Sequence, residues 1–273
     1  MASLVDLHMH STASDGTQPV EDLMKLAAQV GIKTLSLTDH DTTAALDRAI
    51  EVGAALGLEV IPGIELSSEE GGEIHVLGYF IQYKDEVFQK ELERFRFGRY
   101  GRAQLIVEKL AGIGLPLDWE RVLQIAGDAA PQRPHIAEAM KEKGYVENVK
   151  QAFDLYLYND GPAYVEREKI TPVQAIELIQ SVGGLAVLAH PTYMKNLNEV
   201  LPKMVEAGLT GMEVYYGHNT EEQVTSFADL AKKYNLVATG GSDWHGRPDG
   251  GQIYIGDRLV PPTVINQLKE RLK

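Results

Sequence analysis

Apolar runs recur along the chain as SLVDL, TLSLT, LEVIPGIEL, IHVLGYF, LAVLA, GMEVYY and LVATGG, each the length of a buried strand. Most are followed by a segment with apolar positions every three or four residues. PVEDLMKLAAQVG puts Leu23, Leu26, Ala27 and Val30 on one helical face and ends at Gly31, and TAALDRAIEVGAALG follows the second run. TPVQAIELIQSVGG has the clearest start: Thr171 as N-cap, Pro172 at the first position, Gln174 closing the box, and Gly183 as stop. Alternating strands and helices predict parallel strands joined by right-handed crossovers. Seven such runs favour a closed barrel over an open sheet.

Residues 85–168 break this rhythm. DEVFQKELERFRFGRYGRAQLIVEKLAGIG, PHIAEAMKEKG and NVKQAFDLYLYND read as consecutive helices without a strand between them. The expected organisation is an α/β barrel from residues 1–84 and 169–273, with 85–168 as an all-helical insertion, a cap over the strand-end face. No internal repeat or low-complexity tract is present.

The chain has 273 residues and no cysteine. Disulfides and thiolate ligands are excluded, so any metal must be held by nitrogen and oxygen. A cysteine-free composition fits a cytoplasmic location. There is no N-terminus of signal-peptide type and no apolar run of membrane-spanning length, so no membrane association is expected, and nothing calls for an obligate protein partner. The net charge of −13 argues against broad electrostatic binding of nucleic acid. An anionic substrate stays open, because divalent ions reverse the potential locally.

His8 and His10 stand two apart on one strand, so their side chains project to the same side; Asp243 and His245 repeat that spacing. In a parallel barrel both pairs fall at the C-terminal rim, where active sites of such folds are built. Asp15, His40, Glu65, His75 and His190 bring the candidate ligands to nine. One metal needs three or four protein ligands. Nine suffice for two or three ions sharing a bridging carboxylate, an arrangement that stabilises both attacking and leaving oxygens in phosphoryl transfer. Singly, these residues have plainer readings. His75 fits a core histidine, His190 shapes a loop before Pro191, and Asp39 and Asp41 cap the following helix. The joint pattern decides: the candidates gather at the ends of several different strands, and burying so many polar groups without metal is costly. The donor set suits Mn, Zn or Fe.

Arg133 and His135 open an inserted helix, where an N-terminus beside an Arg makes an anion site. His218 follows a strand in EVYYGHN. These three are the candidate phosphate and substrate contacts. Arg94, Arg96, Arg99 and Arg102 interleave with Phe95, Phe97 and Tyr100. That reads as a guide for short single-stranded RNA or as Arg stems over a packed aromatic face; the second is preferred, because the insertion as a whole is not basic.

DLHMHSTASDGT, LSLTDHDT, VIPGIELS, HVLGYF, LAHP and GGSDWHG resemble the motifs of the PHP (polymerase and histidinol phosphatase) superfamily. QRPHIAEAM and AFDLYLYNDGPAYV resemble its RNase AM and nucleoside 3′,5′-bisphosphate phosphatase subgroup. The resemblance spans nearly the whole chain. It implies a distorted (β/α)7 TIM-like barrel with a trinuclear centre: His8, His10, Glu65 and Asp243 on one metal, Glu65 bridging to a second with His75 and His190, and Asp15, His40 and His245 on a third. It further implies hydrolysis of phosphate esters of nucleotides by a metal-bridging hydroxide, with His8, His10, Glu65, Asp243 and His245 as the catalytic set. Two other readings are a phosphatase for a non-nucleotide metabolite such as histidinol phosphate, and a non-catalytic, metal-stabilised module. The complete ligand set argues against the last.

Overall fold

The computed structural model describes residues 4–127, 129–166, 170–246, 255–257 and 260–272. The chain divides into two compact units, Met1–Gln89 with Lys169–Lys273, and Lys90–Glu168. The first is an α/β barrel. Its elements are β1 (Leu4–Asp6), α1 (Val20–Val30), β2 (Ile32–Leu37), α2 (Leu46–Ala55), β3 (Glu59–Glu69) and β4 (Glu73–Tyr79). The helical α3 (Glu86–Gly112), α4 (Trp119–Ala126), α5 (Arg133–Glu142) and α6 (Val149–Ala152) follow. The barrel resumes with α7 (Pro172–Ser181), β5 (Leu185–Leu188), α8 (Leu197–Glu206), β6 (Gly211–Tyr216), α9 (Glu221–Lys233), β7 (Val237–Gly241) and α10 (Thr263–Arg271).

The seven strands form one sheet in chain order. Beyond the ends of β1 and β7 the sheet nearly closes on itself: Met9 bridges Trp244, the His10 N–H donates to Trp244 O at 2.9 Å, and the Asp243 N–H donates to His8 O at 2.8 Å. Each closing bond therefore anchors a candidate ligand. Within the barrel Val5, Leu7, Ile61, Leu77, Tyr79, Val187 and Val237 share one apolar core, and the Tyr79 hydroxyl reaches Leu7 O at 3.0 Å.

Strand direction departs from the all-parallel expectation. β1–β2–β3 and β5–β6–β7 are parallel, but β4 runs antiparallel to both β3 and β5. The cause is local. Gly71 (φ 65°) and Gly72 (φ 147°) turn the chain back between β3 and β4, and the Glu70 N–H closes the turn on Gly72 O. Both dihedrals lie where a side chain is strained and glycine is not. A tight Gly-Gly connection between two apolar runs is a hairpin signal. The reversal matters for the site, because it brings the start of β4, and with it His75, to the rim where the parallel strands end.

The helix signals behave as their chemistry requires. Gly31 caps α1 at φ 94° with its N–H on Ala27 O and Ala28 O; Met24 and not Val30 completes the buried face with Leu23 and Ala27. Thr171 and Gln174 form the capping box of α7. Asp39 and Asp41 do not cap α2, which begins at Leu46 behind Ala45. Both carboxylates are drawn into the rim instead.

The helical unit has its own core, built from Ile106, Leu110, Val122, Ile136, Met140 and Leu157. The last turn after α6 is a π-helix, Phe153–Leu157. His135 is buried, and its Nδ1 accepts the Gln132 N–H at 3.1 Å at the start of α5. The Arg133 guanidinium donates to Leu157 O and Asn159 Oδ1 at 3.2 and 3.0 Å and lies over the Phe153 ring. Along α3 the interleaved aromatic and Arg positions split: Phe95 and Arg99 are buried, whereas Phe97 is exposed.

Candidate metal centre

The site grows from strand ends. β1 delivers His8 and His10, both fully buried. Glu65 comes from the middle of the long β3, not from its end, at the point where its neighbour across the rim is His40. His75 comes from β4, His190 from just past β5, and Asp243 and His245 from just past β7. Asp15 arrives on the loop after His10. Asp41, His190 and Asp243 hold positive φ of 52°, 27° and 54°, which non-glycine residues adopt at a cost and which recurs at functional sites.

Glu65 is the hub. Its Oε1 lies 2.9 Å from His75 Nδ1 and 3.0 Å from His190 Nε2. Its Oε2 lies 3.2 Å from His8 Nε2 and from His10 Nε2, and 3.1 Å from His40 Nδ1. Asp243 Oδ1 closes the first group at 3.2 and 3.1 Å from the same nitrogens of His8 and His10. On the other flank Asp15 Oδ1 is 3.3 Å from His245 Nε2, and Oδ2 is 3.8 Å from His40 Nε2. Three groups offer donor atoms within 4.8 Å of one another: His8, His10, Glu65 and Asp243; His10, Asp15, His40 and His245; and His40, Glu65 and His75. These groups hold eight of the nine candidates, and His190 joins them through Glu65 Oε1. His10 and His40 each belong to two groups, which spacing in the sequence does not reveal.

Electrostatics follow from that crowding. Burial pushes the Glu65 carboxyl up, but His40, His8 and His75 hold it well below the usual range. Asp15 and Asp243 are likewise held low against burial, by His245 and His40 and by His8 and His245. Burial lowers His75 and His245, yet Glu65 beside one and Asp15 beside the other raise both to about 10. For His40 burial wins, and it is pushed down to about 3.

Four supporting roles were not anticipated from the sequence. Glu213, fully buried on β6, accepts from His8 Nδ1 at 3.1 Å and from the His190 N–H at 2.8 Å. It fixes the His8 ring so that Nε2 faces the cluster, the usual task of a carboxylate behind a ligand histidine. A Glu in the middle of the otherwise apolar GMEVYY was the available signal. Tyr216 donates its hydroxyl to Asp243 Oδ2 at 2.9 Å and leaves Oδ1 turned to the histidines. Asp39 accepts from the Ser11 N–H, the Ser11 hydroxyl and the Ser14 hydroxyl at 2.8, 2.7 and 2.6 Å, pinning the loop between His10 and Asp15. Asp41 holds β3 through the Ser67 N–H at 2.9 Å.

The PHP domain family matches residues 6–207. The chain belongs to the PHP family. PHP relatives include a phosphoribosyl 1,2-cyclic phosphate 1,2-diphosphodiesterase from Eggerthella lenta, 34% identical over 93% of this chain and 98% of that protein. The 5′-3′ exoribonuclease Rnm of Salmonella typhimurium is 36% identical over 89% and 86%. A 3′,5′-nucleoside bisphosphate phosphatase of Chromobacterium violaceum is 29% identical over 98% and 97%. A solved structure described as a metal-dependent phosphoesterase, from Bifidobacterium adolescentis, superposes with a TM-score of 0.90 at 29% identity, covering 99% of this chain and 97% of that one. The chain is thus a metal-dependent phosphoesterase on a TIM-like barrel.

The donors fit such a metal. His8 Nε2 and His10 Nε2 face each other at 3.1 Å, and His10 Nδ1 is buried with no hydrogen-bond partner among the described residues. Tetrahedral bonds of 2.0–2.1 Å set donors roughly 3.3 Å apart, close to the 3.1–3.2 Å spacings of the first group. His218 stands outside it, exposed, with its ring 5.5 Å from Tyr216.

Proposed function

We propose that this phosphoesterase hydrolyses phosphate esters of nucleotides: nucleoside 3′,5′-bisphosphates or short 5′-phosphorylated oligoribonucleotides. The convergence of imidazole and carboxylate donors on the single buried Glu65 carries the hydrolytic half of that reading. The nucleotide half is supported by the exoribonuclease and bisphosphate phosphatase activities of the relatives.

We assign two or three divalent ions, Mn, Zn or Fe, to His8, His10, Glu65 and Asp243, to Glu65, His75 and His190, and to Asp15, His40 and His245. Such ions acidify water and neutralise the non-bridging phosphate oxygens. The protein residues orient the rest. Glu213 and Tyr216 fix His8 and Asp243. The Asp243 carbonyl holds His245 Nδ1 at 2.8 Å, which turns Nε2 toward Asp15. Arg133, at the first position of α5, is assigned to a substrate phosphate, supported by the helix N-terminus it shares. His135 is assigned beside it through its place in that first turn. His218 is assigned to substrate on the strength of its exposure beside Tyr216.

The test is turnover by purified protein with Mn²⁺. Adenosine 3′,5′-bisphosphate should release phosphate, or 5′-phosphorylated RNA should release nucleoside monophosphates. Protein of confirmed metal content that cleaves neither overturns the nucleotide reading. One observation favours a second substrate: the cyclic phosphate diphosphodiesterase, a sugar phosphate enzyme, is 34% identical over almost its full length. Cleavage of phosphoribosyl 1,2-cyclic phosphate with both nucleotides left intact would establish it instead.

A further inference from the structure

The chain leaves β5 through His190 into a single 3-10 turn, Pro191–Tyr193. That turn is rigid. Pro191 fixes its own φ, the Tyr193 N–H donates to His190 O at 3.2 Å, and the Met194 N–H donates to Pro191 O at 3.0 Å. The Thr192 hydroxyl accepts from Gln223 Nε2 at 2.7 Å, which ties the turn to α9. A rigid turn of this kind could bury its aromatic side chain. It does not: Tyr193 is 62% exposed.

A lone exposed aromatic needs no explanation. Tyr193 is not alone. Its ring lies 5.8 Å from His190 and 6.0 Å from Tyr216, edge to face with the latter at 85°. Tyr216 lies 5.5 Å from the ring of His218 and holds Asp243 through its hydroxyl. The rings thus run without a gap from the exposed surface to two members of the metal-donor cluster. This flank of the cluster is open to solvent, since His190 and Asp243, like His245 and His75, keep partial exposure while His8, His10 and Glu65 keep none.

We propose that Tyr193 is the platform on which the nucleobase of the substrate stacks while its phosphate lies at the cluster. The inference rests on the nucleotide reading above and deepens it. A planar heteroaromatic ring fits an exposed, rigidly held phenol ring, and such stacking tolerates any base because every base has a π-face. Tyr193 would therefore select for the presence of a base and only weakly for its identity.

Steady-state kinetics on a matched pair tests this: deoxyadenosine 3′,5′-bisphosphate and its abasic counterpart, 1,2-dideoxyribose 3,5-bisphosphate. Tyr193→Leu should raise KM for the base-bearing ester about tenfold with kcat within about twofold, so that the preference for it over the abasic ester falls by the same factor. Tyr193→Phe should keep the wild-type preference, because the ring stays, and Tyr193→Trp should lower KM for the base-bearing ester. An unchanged preference in Tyr193→Leu overturns the platform. So does a Tyr193→Phe variant that loses as much as Tyr193→Leu, which would assign the role to the hydroxyl. Wild-type protein that cleaves the abasic ester but no nucleotide refutes the substrate reading itself, whereas nucleotide turnover with an insensitive Tyr193→Leu refutes the platform alone.

Discussion

A metal site is set as much by what stands behind its ligands as by the ligands. His8 offers Nε2 to the cluster only because Glu213 holds Nδ1, and the same carboxylate holds the backbone of His190. Glu213→Gln keeps the shape but removes the charge that raises His8 basicity. Losses of this kind cost roughly 10- to 100-fold in metal affinity. We expect that range for Glu213→Gln by competition with a calibrated chelator, with the far-ultraviolet circular dichroism of the wild type; unchanged affinity would remove Glu213 from the site. The nine converging donors were legible in the sequence because each sits in a short polar interruption of an apolar run. Glu213 and Tyr216 were not, because they lie inside runs that read as plain core. Asp39 and Asp41 were misread for a related reason: an acidic residue ahead of a helix has the same local pattern whether it caps that helix or fastens a loop across the rim.

At the level of elements the sequence revealed the seven runs, the helical stretch and the closed form, but not the direction of β4. Direction is decided by a connection, and the Gly71–Gly72 turn is far shorter than a helical crossover allows. Once β4 is reversed, His75 reaches the same rim as the ends of the parallel strands, so the error in topology left the convergence of ligands intact. A second element-level constraint lies at the end of β7. A Cβ on Gly241 would stand 2.5 Å from both Cβ and N of His8 and 2.9 Å from Asp6 Oδ1. Asp6 itself accepts the His8 and Ser242 N–H groups at 3.2 and 3.0 Å, so the seam between β1 and β7 has no room to yield. Gly241→Ala should therefore destabilise by about 1–3 kcal/mol, as overpacking does, and should also weaken metal retention by displacing His8. Urea unfolding together with metal analysis of the purified variant checks both; normal stability with normal metal content would show that the seam is soft.

For the whole molecule, metal binding and folding are linked through protons. In the metal-free protein His75 and His245 are raised to about 10 from 6.5. A raised base stabilises the fold fully below its unfolded pKa of about 6.5 and loses that contribution as pH climbs toward 10. His40, pushed down to about 3, acts on the acid side, where the unfolded chain takes up a proton that the fold refuses. The three carboxylates held low, Asp15, Glu65 and Asp243, also lose their contribution as pH falls. Metal-free stability therefore declines on the alkaline side because the ion pairs between imidazolium and carboxylate dissolve. Metal binding has the opposite sign there, since a ligand imidazole must give up its proton and affinity rises as protons become scarce. A bound ion stabilises the fold in proportion to the logarithm of ligand concentration over Kd. The gap in Tm between metal-loaded and chelator-treated protein should accordingly widen from pH 6.5 to pH 9, and metal uptake at pH 7 should release protons in calorimetry across buffers of different ionisation enthalpy. A gap that narrows with pH, with no proton release, would mean that the raised histidines and the metal donors are different groups.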